Sequence, residues 1–180
     1  GVGRKTANVI LNTIFGEHKI RYRSPLKVIE DIDFLVRDFG VRNIKIIDEM
    51  FDLNEKHVME ICELIIERGY DLNIWAYARV DTINEKKLKK MKQAGINWLG
   101  IGFESADRNV RDGVSKGRFG NERMKEIVSM IHSSEIHIAA NFIFGLPGDT
   151  FESMRETLNL AKELNCEYPN FYVAMAYPGS

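Results

Sequence analysis

Apolar positions along this chain switch repeatedly between a helical and a strand-like period. Val28, Ile29, Ile32, Leu35, Val36 and Phe39 recur at helical spacing on one face. Ser24-Pro25 before them supplies an N-cap and a first-turn proline, and Gly40 a stop. A second helix opens at Asn54, turns Val58, Ile61, Cys62 and Ile65 inward, and ends at Gly69. The spacing predicts further helices over 83–94, closed by Gly95, and over roughly 121–133. Thr150 caps another, with Met154, Leu158, Ala161 and Leu164 facing in. Between the helices lie short β-rich runs: Ile44–Ile47, Ile74–Ala78, Trp98–Gly102, Ile136–Phe144 and Phe171–Ala176. Strand runs recurring every 24 to 40 residues or so, with a helix in each interval, are the signature of βα units and a parallel sheet. The fold class is α/β with five visible strands, either doubly wound or part of a barrel. Nothing in the pattern marks a linker, so residues 1–180 read as a single domain.

Composition narrows the function more than the fold. The 180 residues are 44% hydrophobic and 28% charged, which excludes a disordered tail or a collagen-like chain. Twenty-five Lys and Arg against 26 Asp and Glu leave a net charge of −1, without the basic excess of a dedicated nucleic-acid binder. No apolar run approaches the roughly 18 residues of a membrane span. Two cysteines, Cys62 and Cys166, make neither a disulfide framework nor a cluster site, and a cytoplasmic setting is expected. Cys62 reads as a core residue, and His57, His132 and His137 as surface residues without a second metal ligand. Lys86, Lys87, Lys89, Lys90 and Lys92 read as one solvated helix face. The chain has no initiator Met before Gly1 and stops just after a strand-like run, so a piece of a longer chain is expected.

In either α/β architecture, ligands bind at the carboxyl ends of the strands, which makes the residues just after each strand the ones to inspect. Asp48 and Glu49 follow the first run, as acceptors for an ammonium or hydroxyl or as helix-start acids. Arg79 follows the second, able to clamp a carboxylate or to pair with Asp81. Glu104 and Ser105 follow the third, as hydroxyl acceptors or as a turn and cap. Asn141 lies in the fourth, and Gly145-Leu146-Pro147-Gly148 after it forms a wall poor in side chains.

Six stretches bring a resemblance into view: Arg21-Tyr22-Arg23-Ser24-Pro25, Ile47-Asp48-Glu49-Met50-Phe51, Ala78-Arg79-Val80-Asp81, Gly100-Ile101-Gly102-Phe103-Glu104-Ser105, Phe144-Gly145-Leu146-Pro147-Gly148-Asp149-Thr150 and Tyr177-Pro178-Gly179. In their order and spacing, residues 17–180 resemble the core of radical S-adenosylmethionine (radical SAM) enzymes, particularly the subgroup that often carries a cobalamin-binding domain upstream. The resemblance implies a partial (β/α)6 TIM-like barrel whose first strand would lie upstream of Gly1. It implies S-adenosylmethionine as cofactor, cleaved reductively to a 5′-deoxyadenosyl radical, and a possible cobalamin-binding partner domain. It also implies roles. Glu49 with Asp48 would meet the methionine amino group, Glu104 and Ser105 the ribose or carboxylate, and Arg79 a polar site facing the cofactor. Asn141 and the turn holding Gly145 and Pro147 would form the adenine-side wall.

One segment departs from that family. Its members bind a [4Fe-4S] cluster through three cysteines spaced CX3CX2C. Counted back from Phe15-Gly16, those positions hold Val2, Thr6 and Val9, so the cofactor-binding residues are expected and the cluster ligands are not. A fold that retains S-adenosylmethionine binding or a scaffold role without radical chemistry is therefore one expectation for the chain. Residues 1–16 instead resemble, through Gly1-Val2-Gly3-Arg4-Lys5-Thr6-Ala7-Asn8-Val9, the helix–hairpin–helix of endonuclease III-type DNA glycosylases. There a Gly-x-Gly hairpin offers backbone N–H groups to a phosphate, and Lys5 would match the nucleophilic lysine. The glycosylase's partner Asp, its second helical domain and its own cysteines are missing. A short amphipathic helix is expected here rather than DNA repair.

Overall fold

A computed structural model describes residues 22–48, 51–113 and 119–175. Val2, Thr6, Val9, Lys5 and the rest of the atypical segment 1–16 lie outside the described residues, as does Glu49. Five strands run in the sheet order β1 (Asn43–Lys45), β2 (Asn73–Ala78), β3 (Ile96–Glu104), β4 (His137–Phe144) and β5 (Tyr168–Val173). Each strand lies beside its successor. A doubly wound sheet reverses direction at a switch point, whereas a barrel adds strands in sequence. The order therefore settles the question left open by the spacing, in favour of a truncated TIM-like barrel.

The helices are α1 (Pro25–Phe39), α2 (Glu55–Arg68), α3 (Glu85–Gln93), α4 (Arg108–Gly113), α5 (Asn121–Ser133) and α6 (Phe151–Leu164). Ser24, Asn54 and Thr150 cap their helices as expected, each accepting from the backbone N–H three residues on. Gly40 and Gly69 close α1 and α2 in the left-handed region.

The described residues fall into two compact units. One holds 22–101 and 127–138, the other 102–126 and 139–175. In the first, Ile74, Ala76 and Ala78 of β2 are buried while Trp75 and Tyr77 between them are half-exposed, the alternation of a pleated strand. Parallel pairing sets Tyr77 against Gly100, and Trp75 packs edge-on to Tyr77 with ring centroids 4.4 Å apart. A Cβ on Gly100 would fall 2.6 Å from the Trp75 ring, so only glycine leaves the indole its place. The layer of Val58, Ile61, Cys62 and Ile65 from α2, with Leu88 and Met91 from α3, is fully buried. In the second unit the rings of Phe103, Phe142, Phe171 and Phe144 stack in a column at centroid separations of 5.7, 5.3 and 5.3 Å.

Four expectations are corrected. On α1, only Ile29 and Ile32 are buried, and Phe39 is 66% exposed, because the apolar stripe is wider than the line along which α1 meets α2. On α6, Leu158 is 40% exposed, and Ser153, Thr157, Leu160, Ala161 and Leu164 face inward. The buried stripe includes two hydroxyls, which hydrophobicity alone assigns to solvent. On α3, Lys87 is not part of a solvated face but 2% exposed. The last strand starts at Tyr168, three residues ahead of the apolar run, because pairing with β4 begins at Ala139↔Tyr168 and tolerates Pro169 at the sheet's end position.

Candidate functional site

In the first unit the chain leaves β1 through exposed Asp48 and enters a 3-10 turn, Phe51–Leu53, whose Asp52 is fully buried. Asp52 Oδ2 accepts from the Arg79 backbone N–H at 3.3 Å and from the Thr82 hydroxyl. The Lys87 ammonium donates to the Asp52 carbonyl at 2.9 Å and lies 3.6 Å from Oδ2. These contacts join the loops that follow β1 and β2. Asp52 Oδ1 is buried with no hydrogen-bond partner among the described residues. Burial pushes the Asp52 carboxyl above its ordinary 3.8, against the Thr82 hydroxyl, the Lys87 ammonium and the Arg79 amide, which favour the charged form.

The sign of that shift gives a testable pH dependence. A carboxyl more easily protonated in the native state contributes most stability below 3.8 and loses it as pH rises through the raised native value. The unfolding free energy of wild type minus that of Asp52→Asn should therefore fall as pH rises from about 3.8, followed by urea denaturation. A flat difference would contradict the shift.

Arg79, the expected clamp, is half-buried and clamps its neighbour. Its Nε and Nη2 donate to the two Asp81 carboxylate oxygens, both at 2.8 Å, and this pairing raises the guanidinium pKa further. Of the two readings of Arg79, the local pair is the one formed.

In the second unit β3 ends at Glu104, which is 1% exposed and has φ +67°. The Ser105 N–H donates to the Phe103 carbonyl at 3.0 Å, closing a three-residue turn around Glu104. A non-glycine residue in this region costs about 1–3 kcal/mol and persists only where its surroundings over-determine it. Those surroundings are polar. Thr157 of α6 accepts from the Ala106 N–H at 2.9 Å, lies 3.2 Å from the Ser105 hydroxyl, and donates to the Ser153 carbonyl. Arg111 of α4, 1% exposed, donates from Nη1 to the carbonyls of Ser105 (2.5 Å) and Ala106 (2.8 Å). The same nitrogen reaches Asn121 Oδ1 at 3.1 Å, and Nη2 donates to the Phe119 carbonyl at 3.0 Å.

Asn141 is buried in β4, donates to the Ala139 carbonyl at 3.4 Å and accepts from Asn170 of β5 at 3.1 Å. After β4 the chain turns at Gly145, φ +77°, whose N–H donates to Asp149 Oδ2 at 2.9 Å. A Cβ at Gly145 or Gly148 would meet open space, so this turn through Pro147 presents bare backbone. The second unit thus unites Glu104, Ser105, Asn141, Gly145 and Pro147, while Asp48 and Arg79 belong to the first. Sequence reasoning missed Asp52, Lys87, Arg111 and Thr157. The legible trace of Thr157 was a hydroxyl in register with Leu160 and Leu164. Lys87 and Arg111 sit among other charges and carried no such signal.

The sequence profile described as the Radical SAM superfamily matches residues 8–161. The chain belongs to the radical SAM superfamily. It is 32% identical over 160 residues to an uncharacterized methyltransferase of Pyrococcus horikoshii, covering 89% of this chain and 35% of that protein. It is 30% identical over 162 residues to the anaerobic magnesium-protoporphyrin IX monomethyl ester cyclase of Rubrivivax gelatinosus, covering 89% and 29%. Among solved structures it resembles the radical S-adenosylmethionine methyltransferase TsrM of Kitasatospora setae, with cobalamin and a [4Fe-4S] cluster bound. The TM-score is 0.78 at 18% identity, over 86% of this chain and 30% of that one. The chain spans about a third of the length of the curated relatives it matches.

The radical SAM match begins at residue 8, after two of the three positions, 2 and 6, where the cluster cysteines are counted. The two cysteines present do not fit a cluster. Cys62 is fully buried on α2 and Cys166 follows α6, and burial pushes both thiols up to about 12, far from the thiolate that iron requires. Among the described residues no group of three or more His, Cys, Asp and Glu could hold a metal ion. Nor is any described helix long and apolar enough to cross a membrane.

Proposed function

We propose that this chain is the S-adenosylmethionine-binding core of a radical SAM protein of the cobalamin-associated methyltransferase kind, and that it lacks radical chemistry of its own. The observation that carries this is the superfamily match, which takes in the loops after β1 to β4 and starts past two of the cluster positions. In this superfamily a reduced cluster, when bound, would supply the electron for reductive cleavage of the cofactor. Here Val2, Thr6 and Val9 offer no thiolate, so no step is assigned to a cluster.

The residues of the second unit suit the cofactor itself. Glu104 holds a carboxylate at the strand end in a fixed, strained turn, where it accepts hydrogen bonds from the ribose hydroxyls. Ser105 beside it is fixed by Thr157. The open backbone of the Gly145–Gly148 turn lets a flat base lie against the chain, and the buried Asn141 amide supplies polarity at that wall. Asp48 with Glu49 serves the methionine ammonium. Arg79 is a polar strand-end residue for the cofactor by the same resemblance, its guanidinium held by Asp81. The cobalamin seen in TsrM supports a cobalamin-binding domain as partner of this core.

Calorimetric titration with S-adenosylmethionine tests the reading. One-to-one binding is expected, with Glu104→Gln weakening it by roughly tenfold or more, the range for losing hydrogen bonds to a charged group. Absence of binding heat in wild type, checked by equilibrium dialysis, would overturn it.

A further inference from the structure

Glu104 is held in a left-handed three-residue turn that an ordinary residue leaves when it is free to do so. Something must pull the chain back immediately after it. The carbonyls of Ser105 and Ala106, the two residues that follow, both converge on Arg111 Nη1 at 2.5 and 2.8 Å. One nitrogen capturing two consecutive carbonyls fixes the direction of both peptide planes, and that fixes ψ at Ser105 and the exit path from Glu104. The guanidinium is itself immobilised. Its other contacts are the Phe119 carbonyl and Asn121, and its Cζ lies over the Phe119 ring, 5.9 Å from the centroid.

Burial makes this an unusual use of an arginine. The side chain is 1% exposed, and its Nε has no hydrogen-bond partner among the described residues. Desolvation lowers its pKa. A charge buried at that penalty, facing carbonyls rather than a carboxylate, is poorly explained as a source of stability, since apolar packing would serve better. It is explained if the backbone it grips must be held in a conformation the chain would otherwise abandon.

We propose that Arg111 is a positioning residue that keeps Glu104 in its strained turn, and so presents the Glu104 carboxylate to the ribose of S-adenosylmethionine. The last clause rests on the function proposed above; the grip on the turn does not. Lysine cannot replace it, because a single ammonium lacks the planar fork that reaches Ser105, Ala106 and Phe119 together.

A double-mutant cycle tests both parts. Glu104→Gly removes the cost of positive φ, so Arg111 has nothing left to hold in that background. In urea unfolding, Arg111→Lys is expected to lower the folding equilibrium constant at least tenfold more in wild type than in Glu104→Gly. Equal losses in the two backgrounds would overturn the positioning role and leave Arg111 a packing residue. Arg111→Lys is chosen over Arg111→Met so that folding survives. Should it unfold the chain, Asn121→Ala, which loosens the guanidinium from one side, is read in the same cycle with the same opposing outcomes.

The second readout is affinity. Arg111→Lys should weaken S-adenosylmethionine binding by roughly tenfold at a temperature where the variant is fully folded. Stability coupling with unchanged affinity would overturn the presentation of Glu104 while sustaining the grip. Coupling in a wild-type chain that binds no S-adenosylmethionine would sink the functional reading and leave the grip standing.

Discussion

Lys87→Met is expected to lower the unfolding free energy by about 3–5 kcal/mol, the range for removing one partner of a buried ion pair. Lys87 is 2% exposed and Asp52 0%, so neither partner can turn to water when the other is lost. Removing the ammonium leaves the Asp52 carboxylate with the Thr82 hydroxyl and the Arg79 N–H alone, and leaves the Asp52 carbonyl without its donor. The control is the double variant Asp52→Leu/Lys87→Met, which replaces the pair by side chains of similar volume and should recover most of the loss, because the desolvation penalty disappears with both charges. Urea denaturation with the slope checked for constancy reads both. A loss under 1 kcal/mol for Lys87→Met, within the range of an exposed pair, would mean that water reaches the pair.

The second large effect is a gain. Val2→Cys, Thr6→Cys and Val9→Cys together restore the CX3CX2C spacing that the superfamily uses for its cluster. After anaerobic reconstitution, the parent chain should retain no stoichiometric iron and the triple variant about four irons per chain, with broad visible absorption. Each pairwise double variant should fall well short, because two thiolates leave a cubane with an unprotected edge. Iron assay and the absorption spectrum decide it. Stoichiometric iron in the parent would show that other ligands serve and would remove the ground for an inactive core. Failure of the triple variant to bind iron would place the defect beyond these three positions.

Five of the six described helices, all but α4, were legible because their signals are local. Ser24, Asn54 and Thr150 cap through bonds to N–H groups three residues away, and such a bond needs no partner from elsewhere in the chain. The strand-end residues were legible for a related reason. In a parallel α/β sheet the loop after each strand lies on one edge, so Asp48, Arg79, Glu104 and the Gly145 turn could be named from spacing. What became of each was not legible. Arg79 had two open pairings, and choosing Asp81 took the geometry of the loop after β2. Glu104 looked like an ordinary turn residue, and the side chains that grip the chain just after it, Arg111 and Thr157, lie seven and 53 positions away.

By itself the sequence determined that this chain alternates strand and helix, where five strands begin and end to within a few residues, and that the cluster positions hold Val2, Thr6 and Val9. Periodicity and residue identity are properties of the chain, so no packing is needed to read them. Only the tertiary structure decided that the strands follow one another in order, which makes the sheet part of a barrel. It alone took Lys87 out of a run of five lysines and buried it against Asp52, 35 residues away. It alone turned Thr157 inward in place of Leu158. Whether a charge or hydroxyl faces water depends on what distant chain brings to it, and a single charged position in a polar run carries no mark of that partner.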